Sequence, residues 1–392
     1  MLGAIYTGLS GMNAYSDGLM MISNDVANLN TLGYKGNFLS FDSLYENGGA
    51  FLGSSGGGYG VSMGSSFIDF SQGTLQQTTN PLDLAIQGNG FITVLKDGQT
   101  YYERTGNFFV NQDGFISDSQ GNHLAVLDAN GETQPFNIDA YKTYAPAATT
   151  NVTYNGNLDP TATDPVTSSI KVYDSRGTEH DWTVTFTKAG VSTDGNETWN
   201  VTVTDADGNT VGSGSLEFDS SGAVAGNSKI VVQQNVDGGD PLNVTLDFSS
   251  GVSSFSAGGT SSLAASSIDG NAMGTLTGVG VDANGQIELA YSNGKTATQG
   301  YVALANFQDP QVLQRLTGGL YADPTGQPVS YHKSGADGLG TLESGQVEAS
   351  NVNLSSEFGE LILIERGFQA CSQIVSISNE MIQTLFGMRG QG

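Results

Sequence analysis

The chain has 392 residues, with 39 acidic against 13 basic side chains and a formal net charge of −26. This excess of negative charge repels nucleic acid and anionic membrane surfaces, so both are excluded as partners. Only 13% of residues are charged, 38% are hydrophobic and 55 are glycine, a balance typical of secreted all-β proteins rich in turns. The sequence contains no run of about 18 apolar residues, so no membrane span is predicted.

The first 34 residues predict a helix with an apolar stripe and almost no charge. The stripe consists of Leu2, Ile5, Leu9, Met12, Tyr15, Leu19, Ile22, Val26 and Leu29. Before Tyr34 the only charged side chains are Asp17 and Asp25, whereas a helix on a soluble domain normally shows many charges to water. We therefore expect this helix to have partners on more than one side. Because the first cation is Lys35, we expect no cleaved signal peptide.

Glycine-rich sequence after the helix predicts a linker over 35–66. Gly33 is a plausible C-cap, and the glycines of the linker are Gly48, Gly49, Gly53 and Gly56 to Gly58. Residues 60–64 spell the G-x-S-x-G pattern of a hydrolase nucleophile elbow around Ser62. An elbow needs a strand before it and a helix after it, but here glycines precede and the strand-like Phe67–Phe70 follows. We therefore predict no catalytic serine.

From Phe67 onward the hydrophobic period changes to two, which predicts strands. The predicted strands are Phe67–Phe70, Gly90–Leu95, Thr100–Arg104, Phe108–Val110 and His123–Leu127, with turns at Asp97-Gly98, Asp113-Gly114 and Asn130-Gly131. A segment rich in Ala, Thr, Asp and Pro, about Ala145 to Ser169, is interpreted as a domain boundary. An inner β-domain is thus predicted over 67–144, completed by the hairpin signals of 275–334.

A second set of strands predicts an outer β-domain over 145–274. These strands are Ser169–Tyr173, Trp182–Thr187, Thr198–Thr204, Ser215–Phe218 and Asn243–Phe248. Trp182 and Trp199 alternate with apolar neighbours and are predicted to lie in a core or on a sheet face. The Gly-, Ser- and Ala-rich segment Ser249 to Ser267 is interpreted as the return connection.

The remaining candidates for chemistry are weak. The only histidines are His123, His180 and His332, which lie in separate segments without metal-ligand spacing. Residues 205–209 resemble a calcium loop, but the later bidentate Glu is missing and a hairpin turn explains them. Glu179 and Asp181 have the residue types of a glycosidase pair, yet chance pairs are abundant among 39 carboxylates. We predict no catalytic residue, cofactor or metal.

The C-terminal helix is predicted to begin near Ser355, with Glu357 in its first turn. Its apolar stripe is Leu361, Ile364, Phe368, Cys371, Val375, Ile382 and Leu385. The single cysteine, Cys371, is expected to be a buried structural thiol. An ordinary antiparallel pair and a self-assembling tail both fit the two stripes. Extra apolar residues favour self-assembly, namely Met20, Met21, Leu32, Leu354, Ile362, Ile374, Ile377 and Met381.

The order of these elements predicts a mainly β fold with terminal α-helices and nested domains. The terminal helices, 1–34 and 354–392, are expected to pair into a coiled-coil-like core domain. The linkers are 35–66 and 335–353, with Gly53 to Gly58 and Gly335 to Gly340 as hinges. The inner and outer β-domains follow outward, so the middle of the sequence is expected to lie farthest from the ends.

Three long motifs resemble those of the bacterial flagellar rod and hook proteins. The first includes ISNDVAN at 22–28 and ends at Lys35, so that Asn24, Asn28, Gly33, Tyr34 and Lys35 match the family. The second covers NPLDLAIQGNGF at 80–91 and RTGNF at 104–108, and the third covers 339–352 and ERGF at 365–368. Residues 172–177, 274–279 and 291–294 are similar to the hook members, whereas rod members are shorter and lack such a middle domain.

The resemblance implies a structural subunit, not an enzyme, that forms a curved tubular polymer between rod and filament. It implies export unfolded through the flagellar type III apparatus and a place outside the cell, in the hook and basal body. The implied partners are further copies of itself, the rod protein, the hook cap and the hook–filament junction proteins. A distal rod protein is the alternative, and a secreted carbohydrate-active or adhesive β protein is a more distant one.

Overall fold

The computed structural model describes residues 2–43, 60–236 and 240–389 of the chain. The described residues form two long helices, α1 (Leu2–Ala27) and α2 (Leu354–Arg389), with strands between them. The fold is therefore mainly β with a helix at each end, as the sequence predicts. Within the described segments, neither helix is long and apolar enough to cross a membrane.

The strands are short and follow one another in chain order. Up to residue 135 they are β1 (Asn37–Phe38), β2 (Phe41–Ser43), β3 (Val61–Met63), β4 (Phe67–Ile68), β5 (Leu75–Gln77), β6 (Asp83–Gln87), β7 (Phe91–Lys96), β8 (Gln99–Glu103), β9 (Thr105–Asn107), β10 (Phe109–Val110), β11 (Ile116–Ser117), β12 (His123–Leu127) and β13 (Thr133–Pro135). The next are β14 (Thr143–Tyr144), β15 (Asn151–Asn157), β16 (Val166–Tyr173), β17 (Glu179–Val191), β18 (Glu197–Thr204), β19 (Thr210–Phe218), β20 (Val224–Ala225), β21 (Lys229–Gln234), β22 (Leu242–Asp247), β23 (Val252–Ser253) and β24 (Ala264–Ile268). The last are β25 (Gly274–Val281), β26 (Gln286–Tyr291), β27 (Thr296–Val302), β28 (Leu304–Asn306), β29 (Gln314–Arg315), β30 (Tyr321–Ala322), β31 (Ser330–His332), β32 (Thr341–Ser344) and β33 (Gln346–Glu348).

The chain divides into two compact units. The first comprises Met1–Asp139, Val279–Glu288 and Thr298–Gly392, and the second comprises Ala140–Gly278 and Leu289–Ala297. The first unit thus holds both helices together with β1 to β13 and β28 to β33. This division is coarser than the four predicted domains, whose boundaries stay a prediction.

The second unit is built on two sheets that share one hydrophobic core. Strands β16 to β20 form an antiparallel meander, and β21, β22, β15 and β23 form the other sheet, with β24 also paired to β15. Trp182 and Trp199 are fully buried in the core between them, which confirms their predicted role. The carboxylate of Asp205 accepts hydrogen bonds from the backbone N–H groups of Asp207 and Asn209, so the calcium-like loop is a hairpin turn.

In the first unit, β7 lies at the centre of a sheet and pairs with β8, β12 and β28. Smaller sheets surround it: β32-β6-β9, β33-β5, β1-β4 and β2-β3. Ser62 lies in the middle of β3, paired with Asp42 of β2, and not on a turn between a strand and a helix.

Several boundaries differ from the sequence prediction. Helix α2 begins at Leu354, and its cap is Asn353, whose Oδ1 accepts from the N–H groups of Ser355 and Ser356; the predicted cap, Ser355, is wrong. The supposed boundary segment contains β15, because Val152 and Tyr154 point into the second core from an otherwise Ala- and Thr-rich sequence. Strands β6, β21 and β24, and shorter ones such as β5, were not predicted; β24 overlaps the segment that was interpreted as a connection.

The two predicted linkers are paired in their described parts. Strands β1 to β3 lie in 35–66, and β32 and β33 lie in 335–353. The proposed hinge at Gly335 to Gly340 is held in place at its end, because the Gly340 N–H donates to the Asn89 carbonyl at 2.7 Å. The backbones are so close there that a Cβ on Gly340 would lie 2.1 Å from the Gln87 carbonyl oxygen. The other proposed hinge, Gly53 to Gly58, lies outside the described residues.

Candidate functional site: the terminal helices and the polar joint

Helix α1 packs against α2 mainly through its smallest residues, together with only part of its large apolar stripe. The contact face of α1 consists of Gly8, Gly11, Ala14, Gly18 and Ile22, and that of α2 consists of Ile364, Gly367, Cys371 and Val375. A Cβ on Gly8 would lie 2.8 Å from Val375 Cγ2, and one on Gly18 would lie 2.9 Å from Ile364 Cδ1. The helices therefore approach so closely at these positions that a Cβ would force the facing side chain to shift.

The predicted stripes are consequently divided between two surfaces. Ile22 and Ile364 are buried, while Ile5, Met12, Tyr15, Val26, Leu29, Leu361, Cys371, Val375 and Ile382 are half-buried. Leu9, Leu19, Phe368 and Leu385 are exposed, so α1 and α2 do not cover them in the single chain, and their role in assembly stays a prediction. The side chain of Leu2 lies outside the described residues.

More large apolar side chains are exposed on both helices. They are Tyr6 and Met20 on α1, and Leu354, Phe358, Ile362, Leu363, Ile374, Ile377, Met381 and Phe386 on α2. Single exposed apolar residues are normal, but so many of them on two adjacent helices mark a protein–protein contact. We call these residues, with Leu9, Leu19, Phe368 and Leu385, the free apolar face.

Replacing Gly11 with leucine is expected to separate the helices. A Cβ at Gly11 would already lie 2.6 Å from Cys371 Sγ, so the longer side chain forces α2 away, at about 1–3 kcal/mol or more. Because Cys371 is the only cysteine, its rate of reaction with a thiol reagent measures the separation directly. The matched control is Gly3→Leu, since Gly3 has open space around it. Equal reaction rates in both variants would contradict the expectation.

At the end of the helix pair, five charged or phenolic residues form a cluster that we call the polar joint: Asp25, Tyr34, Lys35, Arg104 and Glu348. At its centre Lys35 Nζ lies 2.7 Å from Glu348 Oε1, and both side chains are completely buried. Burial lowers the pKa of Lys35, and the carboxylate of Glu348 acts in the opposite direction. Each member of this pair also makes a further hydrogen bond. Lys35 donates to the Ser71 carbonyl, and Glu348 Oε1 accepts from the Gly73 N–H, both at 2.7 Å.

Arg104 is the second cation of the polar joint. Its Nε donates to Glu348 Oε2 at 3.2 Å, and its Nη atoms donate to the carbonyl oxygens of Gly88 and Gly90 at 2.7 and 2.5 Å. One buried carboxylate therefore serves two buried cations. Such a cluster holds together only while every partner is present, because an uncompensated buried charge is very costly.

Asp25, near the end of α1, connects the helix to the following chain. It accepts from the Tyr34 hydroxyl at 2.7 Å and from the Asn37 backbone N–H at 2.9 Å. Burial, followed by the hydrogen bond to Asp25, raises the pKa of Tyr34 to about 12. Asn24 donates to the Tyr34 hydroxyl, and Asn28 donates to the Asn24 carbonyl, both at 2.9 Å. These bonds fix the turn that leads from α1 into β1.

Gly33 and Arg315 complete the arrangement. Gly33 has φ +66° and its N–H donates to the Glu348 carbonyl at 2.7 Å; a Cβ there would meet Thr105 Cγ2 at 2.9 Å. The predicted role of Gly33 as the C-cap is wrong, because α1 already ends at Ala27. The guanidinium of Arg315 lies 4.6 Å from the centre of the Tyr34 ring and donates to the Lys35 carbonyl.

The polar joint brings together one residue from each of the three family-like motifs: Lys35, Arg104 and Glu348. The sequence prediction treated Glu348 as part of a linker and gave no role to Arg315. The sequence did contain a signal for Glu348, because a Lys or Glu within an apolar, low-charge segment is buried only when it is paired. No sequence signal pointed to Arg315.

Glu103 precedes Arg104 but lies in a different environment. It is almost fully buried, and its Oε1 has no hydrogen-bond partner among the described residues. Burial, with a smaller effect from Asp118, raises the pKa of Glu103 well above its usual range. Glu103 is therefore a protonated, neutral carboxyl group well above the pH at which an exposed glutamate ionises.

The substitution Glu103→Gln is expected to remove a pH dependence of stability. In the unfolded chain Glu103 ionises at the ordinary glutamate pKa, whereas in the fold it keeps its proton to higher pH. The free energy of unfolding therefore falls as pH rises between these two values, by up to about 1.4 kcal/mol per pH unit. Denaturant titrations across that window should show a smaller slope in the variant. If the free energy of unfolding varies with pH equally in the wild type and the variant, the raised pKa of Glu103 is contradicted.

Comparison with known proteins agrees with the observed arrangement. Three family models match: "Flagella basal body rod protein" at 5–35, "Flagellar basal body protein FlaE D2 domain" at 127–271, and "Flagellar basal body rod FlgEFG protein C-terminal" at 343–388. Together they account for more than half of the chain. The first and last models match the two helices with Lys35 and Glu348 of the polar joint.

Whole proteins of similar sequence are also known. The flagellar hook protein FlgE of Escherichia coli is 27% identical over 97% of this chain and 98% of its own length. The hook protein of Rhizobium meliloti is 29% identical over 99% of both, and that of Borreliella burgdorferi is 27% identical over 99% of this chain and 100% of its own length. A crystal structure of Helicobacter pylori FlgE2 covers 68% of this chain and 99% of its own, at 14% identity and a TM-score of 0.49. The sequence similarity therefore extends from end to end.

Proposed function

Because the chain belongs to the flagellar rod and hook axial-protein family, we propose that it is the structural subunit of a bacterial flagellar hook. Its location is then extracellular, and its role is to join the rod to the filament. The match to the FlaE D2 domain over 127–271 supports the hook over a distal rod protein, which is shorter in the middle.

The observation that carries the proposal is the free apolar face of the two helices. In a monomer these side chains gain nothing from exposure to water, but burial between copies contributes about 25 cal/mol per Å² of apolar surface. Repeated contacts between different faces of successive copies generate a helical polymer. The paired ends 1–34 and 354–392 would then line the channel of a tube.

The torque-transmitting role follows from the chemistry of the helix surfaces. Outside the free apolar face their side chains are mostly Ser, Asn, Thr, Gln and Gly, so neighbouring copies can slide slightly without breaking ion pairs. A tube with such contacts bends while it resists twist, as a universal joint must. Rod protein, hook cap, hook–filament junction proteins and the type III export apparatus are its proposed partners.

Electron microscopy of the purified chain tests the proposal. At high protein concentration we expect tubes with a central channel, and none from a variant that lacks 354–392. Sedimentation provides the second measurement, because polymer appears only above a threshold concentration. A folded chain that stays monomeric at every concentration and salt condition would overturn the proposal, and straight rigid tubes would favour the distal rod.

A further inference from the structure

The terminal helices carry few charged side chains, and these are very unequal in sign. On α1 the charged residues are Asp17, which is exposed, and Asp25, which is buried in the polar joint. On the part of α2 with described side chains they are Glu357, Glu360, Glu365, Arg366 and Glu380. Arg366 is thus the one cation on the described helix surfaces, and no ion pair of the described residues includes it.

Arg366 projects from the side of α2 that faces away from α1. The contact face of α2 contains Ile364 and Cys371, which lie about half a helical turn from Arg366 in angle. Its neighbours at helical spacing are Ile362, Leu363 and, further along, Ile377, all exposed members of the free apolar face. When this face is covered, the guanidinium of Arg366 is covered with it.

A covered guanidinium needs a carboxylate, because an unpaired buried charge costs more than the surrounding apolar contacts return. The acidic residues of α2 are poorly suited. Glu365 already accepts from the Gln369 side chain at 3.0 Å, and Glu357 lies near Asp25 and Glu360 at the start of the helix. Asp17 is the exposed carboxylate of α1.

The register of the helix pair places Asp17 and Arg366 at the same level along the helix axis. Gly18 contacts Ile364, and Gly367 contacts the ring of Tyr15. Asp17 and Arg366 therefore lie within one turn of each other along the pair, but on different helices and on outward faces. Two copies packed side by side with little axial shift bring Arg366 of one close to Asp17 of the next.

We propose that Arg366 of one copy forms an ion pair with Asp17 of a neighbouring copy when the terminal helices assemble. The inference rests on the proposed function, since it names a contact inside the polymer. The interface is heterologous: each copy contributes Arg366 on one side and Asp17 on the other, so the contact repeats along a row of subunits. The pair selects the side-by-side register, because an axial slip leaves the guanidinium among apolar side chains.

Charge reversal in separate variants tests this contact. Arg366→Glu and Asp17→Arg should each raise the threshold concentration for polymer formation by about tenfold or more. Both side chains are exposed, so the thermal unfolding of each monomer should stay at the wild-type value. An equal mixture of the two variants should polymerise near the wild-type threshold, because alternating copies restore an opposite-charge pair at every contact in a row. The double variant carrying both substitutions should also recover.

The outcomes of this test distinguish a failure of the proposed ion pair from a failure of the proposed function. If wild-type protein forms no polymer at all, the proposed function fails, and the contact fails with it. If wild-type protein polymerises and Arg366→Glu has the same threshold, the contact is overturned while the function stands. If Arg366→Glu blocks assembly but neither the mixture nor the double variant recovers, Asp17 is not the partner and the proposal is likewise overturned.

Discussion

Glu348→Ala is expected to lower the free energy of unfolding of the first unit by about 3–5 kcal/mol. The substitution leaves the ammonium of Lys35 and the guanidinium of Arg104 buried without their shared carboxylate. It also removes the acceptor of the Gly73 N–H. Denaturant unfolding, followed by circular dichroism, measures the loss. Limited proteolysis should show that both terminal helices become accessible, because the lost ion pair joins Lys35, which follows α1, to β33, which precedes α2.

Two further variants make this expectation specific to the buried charges. Glu343→Ala, on the preceding strand β32, removes a half-buried carboxylate whose Oε1 accepts from the Thr341 hydroxyl at 3.1 Å, and it should cost much less. Lys35→Met combined with Glu348→Gln should recover part of the loss, because one stranded cation is removed and Arg104 keeps its bonds to the Gly88 and Gly90 carbonyls. A double variant as unstable as Glu348→Ala would show that the buried ammonium of Lys35 contributes little to the loss.

The sequence predicted the class of fold because its strongest signals are local. A helical period at each end and a period of two between them identify the elements, and Asp-Gly and Asn-Gly pairs identify hairpins such as the one after Asp205. Strand β15 was missed because only Val152 and Tyr154 signal it within a segment of boundary-like composition. The polar joint depends on contacts between residues more than 200 positions apart, such as Lys35 and Glu348, which no local pattern contains.

The contact face of the helices shows a different limit of sequence reasoning. Patterns of large apolar residues identify surfaces that lose water, but they do not say which partner covers them. Here the partner helix is met by Gly8, Gly11 and Gly18, because close approach of two backbones requires small side chains. The large residues Leu9 and Leu19 are left for other contacts. The sequence therefore indicated that the helices need partners on more than one side, but it did not separate the residues that meet the partner helix from those left for other contacts.

Because small residues pair the two helices and large apolar residues stay exposed, single substitutions are expected to separate assembly from folding. Ile374 is 47% exposed and no cation lies among residues 370–378, so Ile374→Asp should leave the monomer as stable as the wild type. In the polymer the same carboxylate is buried without a partner, which costs several kcal/mol at every contact, about 1–3 even with partial compensation. Tube formation should therefore be abolished at concentrations where the wild type polymerises fully. Thermal unfolding and electron microscopy of the same sample measure both properties.

Two aspartate variants at other positions provide the controls. Ile22 is 1% exposed against α2, so Ile22→Asp should destabilise the monomer itself and free the helices before any assembly step. Val231, on β21 of the second unit, is 59% exposed and lies outside the free apolar face, so Val231→Asp should fold and polymerise close to the wild-type threshold. If Ile374→Asp polymerises as readily as Val231→Asp, Ile374 stays in contact with water in the tube. The copies would then associate through another surface, because both variants place one aspartate at an exposed position of the monomer.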